Sequence, residues 1–329
     1  MVTLSIDGRS VSVPDGSTIL EAVRADGGDL PTLCHHPRLT PSGACRMCLV
    51  RVAGARNLAA ACSTPVAEEM TVITTDEEIE SLRRINLEFH LTDHDMDCAV
   101  CDADGACELQ NLSYHYEIGA TKNRTIPTEL APGSRNRDKS SPVLTFNSAL
   151  CIKCERCVRA CDEIQGKQVL SMMHRGRFTF VSPEFMQWSR SSCDGCGECV
   201  QLCPTGALTE KPLVERVRAQ DIERHVQTTC GYCGVGCQLD LQMKDDRIVR
   251  VRGVETPPND GRLCVKGRFG TDFIHSPERL DTALIRRNGE LVPAPLSEAL
   301  DLIETRCTAM RSAAGPDAIA GLASAKCTN

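Results

Sequence analysis

Cys151, Cys154, Cys157 and Cys161 follow one another at gaps of two, two and three residues. Cys193, Cys196, Cys199 and Cys203 repeat that run, and Pro204 follows it. Thiolates at this spacing hold paired cubane iron–sulfur clusters, and the fourth cysteine of each run ligates the cluster of the other. The spacing therefore predicts one [4Fe–4S] set of Cys151, Cys154, Cys157 and Cys203, and a second of Cys193, Cys196, Cys199 and Cys161. Of the 21 cysteines, 19 fall with one histidine into five four-ligand sets. So many redox centres suit the movement of single electrons over distance.

The other three sets differ in spacing. Cys34, Cys45, Cys48 and Cys62 suit a [2Fe–2S] site, with a four-cysteine zinc site as the alternative. Ten residues separate Cys34 from Cys45 where the plant-type run has four, and Gly43 lets backbone amides approach the sulfurs. His94, Cys98, Cys101 and Cys107 could equally hold zinc. Their position between two cluster modules favours a [4Fe–4S] cluster with one histidine ligand. Replacing a thiolate by histidine removes a negative charge and should raise that site's potential. His90 and His115 are nearby competitors, read as solvated or capping residues. Cys230, Cys233 and Cys237 form the last [4Fe–4S] set with Cys264, 26 residues separating Cys237 from Cys264. Cys307 and Cys327 belong to no set and read as buried structural thiols.

Composition narrows the class. Aromatic residues make up only 3% of the 329-residue chain, so large rings supply little of its core. Metal ligation can replace missing apolar burial in small modules. The chain shows no signal-peptide pattern after Met1 and no run of 18 apolar residues. Reduced, cytoplasmic metal ligation is expected rather than a disulfide scaffold. The formal charge of −7 counts cysteines as neutral. Ligated thiolates and cluster cores would deepen it to about −16. Arg46, Lys153, Arg156, Arg159 and Lys167 stand close to ligands and would offset part of it. An acidic balance of this kind argues against nucleic acid as a partner.

The positioning elements follow from periodicity. Val2, Leu4 and Ile6 alternate, Asp7-Gly8 turns the chain, and Val11 and Val13 return it as a hairpin. Ser17 or Thr18 can cap a short helix carrying Ile19, Leu20 and Val23 and ending at Gly27-Gly28. Thr75 to Glu78 reads as a capping box opening a helix with Ile79, Leu82, Ile85 and Phe89 on one stripe, which delivers His94. Residues 121–141 are polar and Pro-containing and read as a linker, with a second break near Lys211-Pro212. Leu239–Met243 and Ile248–Val251 form strands about an Asp245-Asp246 turn, closing Cys264 onto its set. Glycines 231, 234 and 236 permit tight loops there and form no nucleotide-binding GxGxxG. From Ser297 the pattern is helical, with Leu300, Ile303 and Met310. A Gly315-Pro-Asp turn and a strand starting at Ile319 and Leu322 follow.

Cys230-x2-Cys233-x3-Cys237 with Cys264-Val-Lys266-Gly267 resembles the iron–sulfur segment that opens molybdopterin oxidoreductases. The stretch Leu284–Pro293, the end at Ala325–Asn329 and the module order together resemble the α subunit of NAD-dependent formate dehydrogenases. This resemblance implies an α+β multi-domain chain. A β-grasp [2Fe–2S] ferredoxin domain (1–75) leads to a helical [4Fe–4S] domain with one His and three Cys ligands (76–120) and the linker. A bacterial two-[4Fe–4S] ferredoxin domain (142–213), a [4Fe–4S] domain (222–278) and the truncated start of a molybdopterin oxidoreductase α/β domain (279–329) complete it.

It further implies that Lys266 relays between the last cluster and a pterin, with Mo or W held by bis-molybdopterin guanine dinucleotide. Electrons would move between a formate/CO2 site and a flavin- and NAD-binding diaphorase-type subunit, with a small 2Fe–2S subunit as a further candidate partner. The metal-binding Cys or selenocysteine would lie past Asn329, so residues 1–329 alone are expected not to oxidise formate. Three other readings compete. The large iron–sulfur subunit of a complex I-like NADH dehydrogenase shares three motifs, and the complete eight-cysteine pair counts against it. An iron-only hydrogenase shares the layout of the first 210 residues. A stand-alone electron-transfer adaptor would have no catalytic site of its own.

Overall fold

The computed structural model describes residues 1–119, 137–184, 187–211 and 217–322. Strands β1 (Val2–Ile6) and β2 (Arg9–Val13) form the expected hairpin. Asp7 and Gly8 both have positive φ, 47° and 80°, the turn whose twist matches the flanking strands. Alternation turns Leu4, Ile6, Val11 and Val13 inward. Helix α1 (Ile19–Ala25) lays Ile19, Leu20, Ala22 and Val23 on this face. Thr18 caps it, and the Glu21 carboxylate accepts a hydrogen bond from the Thr18 backbone N–H at 2.7 Å. Strands β3 (Leu49–Val52), β4 (Ala59–Ala60) and β5 (Thr71–Ile73) complete a sheet of order β2-β1-β5-β3-β4, with β1 and β5 parallel.

Helix α2 (Glu77–Thr92) departs from the sequence reading at both its cap and its buried face. Asp76 rather than Thr75 caps it, accepting from Ile79 N at 2.8 Å. Its buried residues are Ile79, Arg83, Leu87 and Leu91, while Ile85 and Phe89 are 43% and 72% exposed. A step of four keeps side chains nearly in line on a helix, and a stripe stepping mostly by three drifts off the face. The position that hides this stripe is Arg83. Its guanidinium is buried and donates to Leu49 O (2.7 Å) and Thr74 O (2.9 Å), tying α2 to the β-grasp unit. Helix α3 (Glu108–His115) follows.

The expected linker lies mostly outside the described residues. Its last part forms β6 (Arg137–Asp138), paired with β7 (Leu144–Asn147). Helix α4 (Arg156–Arg159) continues as a wider π turn to Ile164. The hairpin β8 (Leu170–Met173) and β9 (Phe180–Pro183), then α5 (Glu198–Gln201) and β10 (Leu208–Glu210), finish this unit, whose sheet runs β10-β7-β6. Leu144, Phe146, Leu170, Val181 and Trp188 pack with ligand-run cysteines in its core.

Strands β11 (Arg224–Thr229), β12 (Gln238–Lys244) and β13 (Arg247–Gly253) form an antiparallel sheet. Asp245 and Asp246 turn β12 into β13 with φ of 49° and 56°. The partner strand β11 was not foreseen. Helix α6 (Val265–Phe269), the hairpin β14 (Ala283–Arg287) and β15 (Glu290–Ala294), and helix α7 (Leu296–Ala314) follow. The hairpin turns at Asn288-Gly289, a signal the sequence reading passed over.

No residue of α7 is buried, and Cys307 is half-exposed rather than a core thiol. Ile319 and Leu322 form no strand, and Cys327 with the Ala325–Asn329 string lies outside the described residues. The arrangement is mixed α/β, a five-stranded sheet with its helix followed by smaller sheet units. No described helix is long and apolar enough to cross a membrane.

Candidate metal centres

The loop from α1 to β3 carries Cys34, Cys45 and Cys48, and Cys62 follows β4. Their exposures are 0%, 4%, 1% and 1%. Sulfurs pair directly here: Cys34 with Cys45 and with Cys62, and Cys48 with Cys62. The Cys45 amide also donates to Cys34 Sγ at 3.4 Å. Hydrogen bonds from Cys45 and Cys62 hold the Cys34 thiol far below the ordinary range, and Cys62 holds Cys48 at about 7. The donors Cys45 and Cys62 are pushed up in turn. These contacts link the four sulfurs into one buried thiol cluster, a donor set that a [2Fe–2S] cluster would use. His90, read from sequence as solvated or capping, instead sets Nε2 3.2 Å from Cys45 O.

His94 follows α2 and is 7% exposed. Cys98 begins a single 3-10 turn and Cys101 ends it, the Cys101 amide donating to Cys98 O at 3.0 Å, and Cys107 is the N-cap residue of α3. Burial pushes the Cys107 thiol up to about 12. A Cβ at Gly206 would stand 2.5 Å from Cys101 Sγ, so only glycine fits where the next unit abuts this one. The rival His115 stacks edge-on against Tyr116 at 4.8 Å.

The paired runs form two matching loops. Lys153 and Glu155 have φ of 58° and 63°, and Gly195 and Gly197 both 74°. These left-handed residues turn amides toward sulfur. Lys153 N donates to Cys151 at 3.4 Å, and the amides of Arg156, Gly195 and Glu198 serve Cys154, Cys193 and Cys196. Cys151, Cys154, Cys157 and Cys203 line one cavity with Phe146, Ile152, Val181 and Pro204. The cysteines acting on Cys157 are Cys151, Cys154, Cys203 and Cys199. Those acting on Cys199 are Cys196, Cys193, Cys161 and Cys203. Burial pushes the thiols of Cys151, Cys154, Cys157, Cys193, Cys196 and Cys199 up, Cys151 and Cys196 to about 11. Thiolates in such a place need a cation, and iron supplies one.

In the last set the Cys230 amide donates to Cys237 O at 2.8 Å, and Cys233 and Cys264 lie close enough to act on Cys237. Cys230 is buried, while Cys264, at the start of α6, is exposed. Lys266 lies in α6 and is exposed, two residues past Cys264. Among the described residues no three His, Cys, Asp or Glu side chains close onto a single-ion geometry.

Several basic side chains singled out from sequence fasten one unit to another. Arg159 donates to Thr40 O (2.5 Å), Cys34 O (2.6 Å) and Cys154 O (3.4 Å), spanning two ligand loops. Arg156, 3% exposed, grips Glu108 with two bonds of 2.6 and 2.7 Å. Lys153 reaches Asp93 at 3.5 Å, whereas Lys167 pairs with Asp194 inside its own unit at 2.9 Å. Sequence reasoning missed Glu108, Glu198, Glu210 and Arg268. Glu108 and Glu198 adjoin ligand cysteines, which was the available signal. Glu210, on β10, meets Arg252 (2.7 Å) and Arg250 (3.5 Å) of β13.

Residues 1–77 match a 2Fe–2S iron–sulfur cluster binding domain, and 83–122 the NADH-ubiquinone oxidoreductase-G iron–sulfur binding region. Residues 141–209 match the ferredoxin-like domain of NADH-quinone oxidoreductase subunit 3, and 223–276 the molybdopterin oxidoreductase Fe4S4 domain. The chain is 40% identical to a G-type subunit of the NADH-quinone oxidoreductase of Rhizobium meliloti, over 93% of its own length and 35% of the relative's. It is 34% identical to the α subunit of the NADPH-Fe(3+) oxidoreductase of Geobacter sulfurreducens, over 100% of its length and 38% of the relative's. A crystal structure of an NAD+-reducing [NiFe]-hydrogenase aligns with TM-score 0.58 and 30% identity, covering 64% of this chain and 87% of that one. The chain thus spans well under half the length of these curated relatives. The eight-cysteine pair does not count against a complex I-like subunit, because that segment matches the subunit 3 ferredoxin-like domain.

Proposed function

From a chain that belongs to the G-type subunit family of NADH-quinone oxidoreductases, iron–sulfur proteins here carrying a molybdopterin oxidoreductase-type Fe4S4 unit, we propose an electron-transfer role in an NAD(P)H-linked oxidoreductase. The observation that carries it is the succession of five thiol-rich sets through adjoining units. We assign the [2Fe–2S] cluster to Cys34, Cys45, Cys48 and Cys62. Four [4Fe–4S] clusters fall to His94 with Cys98, Cys101 and Cys107; Cys151, Cys154, Cys157 and Cys203; Cys193, Cys196, Cys199 and Cys161; and Cys230, Cys233, Cys237 and Cys264. When bound, the clusters supply one-electron carriers.

The chain's own residues do the rest. Left-handed loop residues aim amides at sulfur, apolar side chains exclude water, and arginines hold the ligand loops of neighbouring units together. We take a flavin- and NAD-binding partner subunit as the electron source; the relatives' names give NADH or NADPH as the reductant and describe each relative as one subunit of its oxidoreductase. The domain division given from sequence is kept as part of this reading.

A second reading, the iron–sulfur portion of a formate dehydrogenase, draws on the Fe4S4 match at 223–276 and the exposed Lys266 beside Cys264. It would add a Mo or W bis-pterin site outside residues 1–329. One experiment separates the two. The full-length protein is isolated anaerobically with its bound partners and mixed with NADH, NADPH or formate while cluster EPR signals are followed. Reduction by a nicotinamide alone supports the first reading, and reduction by formate supports the second. About 18 iron atoms per 1–329 chain are expected, with zinc near zero. About 14 iron atoms with one zinc would assign the His94 set to zinc.

A further inference from the structure

Three residues from three ligand loops meet in one buried line. Arg38 lies between Cys34 and Cys45, Glu198 between Cys196 and Cys199, and Arg268 four residues past Cys264. Glu198 is fully buried and Arg268 is 2% exposed. Arg38 Nη2 approaches Glu198 Oε1 at 2.6 Å, and Arg268 Nη2 approaches the other carboxylate oxygen at 3.6 Å.

Each arginine also binds the unit it does not belong to. Arg268 Nε donates to Cys196 O (2.8 Å) and Nη1 to Gln201 Oε1 (2.5 Å). Arg38 Nη1 donates to Asp260 O at 3.0 Å. Gln201 in turn exchanges two hydrogen bonds with the backbone of Gly253, of 3.0 and 3.2 Å. Gly197, at φ +74°, leaves the space, since a Cβ there would come 2.3 Å from Arg268 Cδ. The guanidinium of Arg268 is a permanent cation.

We propose that the Arg38–Glu198–Arg268 line positions the Cys193–Cys196–Cys199–Cys161 site against its two neighbours and biases that site's reduction potential through fixed charge. The inference rests on that set holding a cubane. A buried cation beside a cluster favours the added electron, and a buried anion opposes it. Surface pairs would be screened, whereas these are not. A carboxylate between two guanidiniums is also costly to orphan, which keeps the three loops in one arrangement. All three are positioning residues.

The test is an EPR-monitored redox titration of the anaerobically cluster-loaded chain. Arg268→Gln should make reduction of this cubane about tenfold less favourable, about 59 mV for one electron. Glu198→Gln should move it about as far the other way. Arg268→Lys, which keeps the charge and loses the fork, should recover most of the potential, and Arg38→Gln should shift it in the same direction as Arg268→Gln. Potentials that move in one direction for both signs of charge, or not at all, overturn the proposal. Loss of this site's iron in both Arg268→Gln and Arg268→Lys supports the positioning role of the fork, with the charge effect then read from Glu198→Gln and Arg38→Gln; full iron and an unchanged potential in Arg268→Gln overturn the proposal. Wild-type iron far below about 18 per chain, or no cubane signal from this set, would instead sink the underlying ligand assignment.

Discussion

The pocket of Cys34, Cys45, Cys48 and Cys62 and that of Cys230, Cys233, Cys237 and Cys264 use the same four donors in opposite surroundings. In the first, every sulfur is buried, and Cys48 and Cys62 belong to the apolar core with Ile19, Leu20 and Val50. In the second, Cys264 is exposed, Cys233 and Cys237 are half-exposed, and a small core of Leu239, Ile248, Val251 and Leu263 backs Cys230. The first pocket stands on a sheet and helix that bury their own apolar face. The second leans on its neighbour through Glu210 and the Arg268 line. Burial sets how readily water and reagents reach a cluster, so matched donors need not give matched behaviour.

That contrast can be broken by chelation. A hydrophilic iron chelator should strip the Cys230–Cys264 set at least tenfold faster than the Cys34–Cys62 set, followed by the decay of each EPR signal. Equal rates would show that the exposed sulfurs are shielded in solution. Next in size is Glu210→Gln, which leaves two partly buried arginines without their carboxylate and should cost about 3 kcal/mol in chemical denaturation of the second region.

Glu210 also supplies a pH signature. Burial alone would raise its carboxyl, but Arg252 and Arg250 outweigh burial and hold it below the usual 4.5. Its contribution is therefore complete above that ordinary value and fades as pH falls through the depressed one. The wild-type protein should lose more stability than Glu210→Gln on acidification below about pH 4.5. Parallel stability curves for the two proteins would remove Glu210 from the account.

In the first region Leu20→Ala opens a cavity in a closed core and should cost about 2–5 kcal/mol, read from thermal unfolding. Leu300→Ala on α7, where Leu300 is 55% exposed, should change stability by less than about 0.5 kcal/mol. Between them falls Thr18→Ala, which removes half of a capping box and should cost about 1 kcal/mol.

Much of this architecture was legible residue by residue. Asp7-Gly8 and Asp245-Asp246 turn hairpins because short polar residues and glycine accept positive φ. Thr18 caps α1 because its hydroxyl meets the Glu21 amide. The exchange of Cys161 and Cys203 between runs is an expectation from spacing; Cys203 lies close enough to act on both Cys157 and Cys199, and Cys161 on Cys199. The buried face of α2 was not readable. Arg83 holds a core position by satisfying two carbonyls from other elements, and nothing in the helix's own sequence announces those partners. Asn288-Gly289 was a plain hairpin signal that the resemblance to a longer stretch obscured.

The order of cysteines along the chain determined which thiols could share a metal, because loop spacing and left-handed turn residues are local properties. Which charged side chains bind the units to one another was decided only by the tertiary structure. Arg38, Arg156, Arg159, Glu198, Glu210 and Arg268 find partners 48 to 222 residues away or across a unit boundary. A charge can be buried only where the assembled fold supplies its counter-charge and hydrogen bonds, and that supply depends on three-dimensional neighbours that sequence distance does not encode.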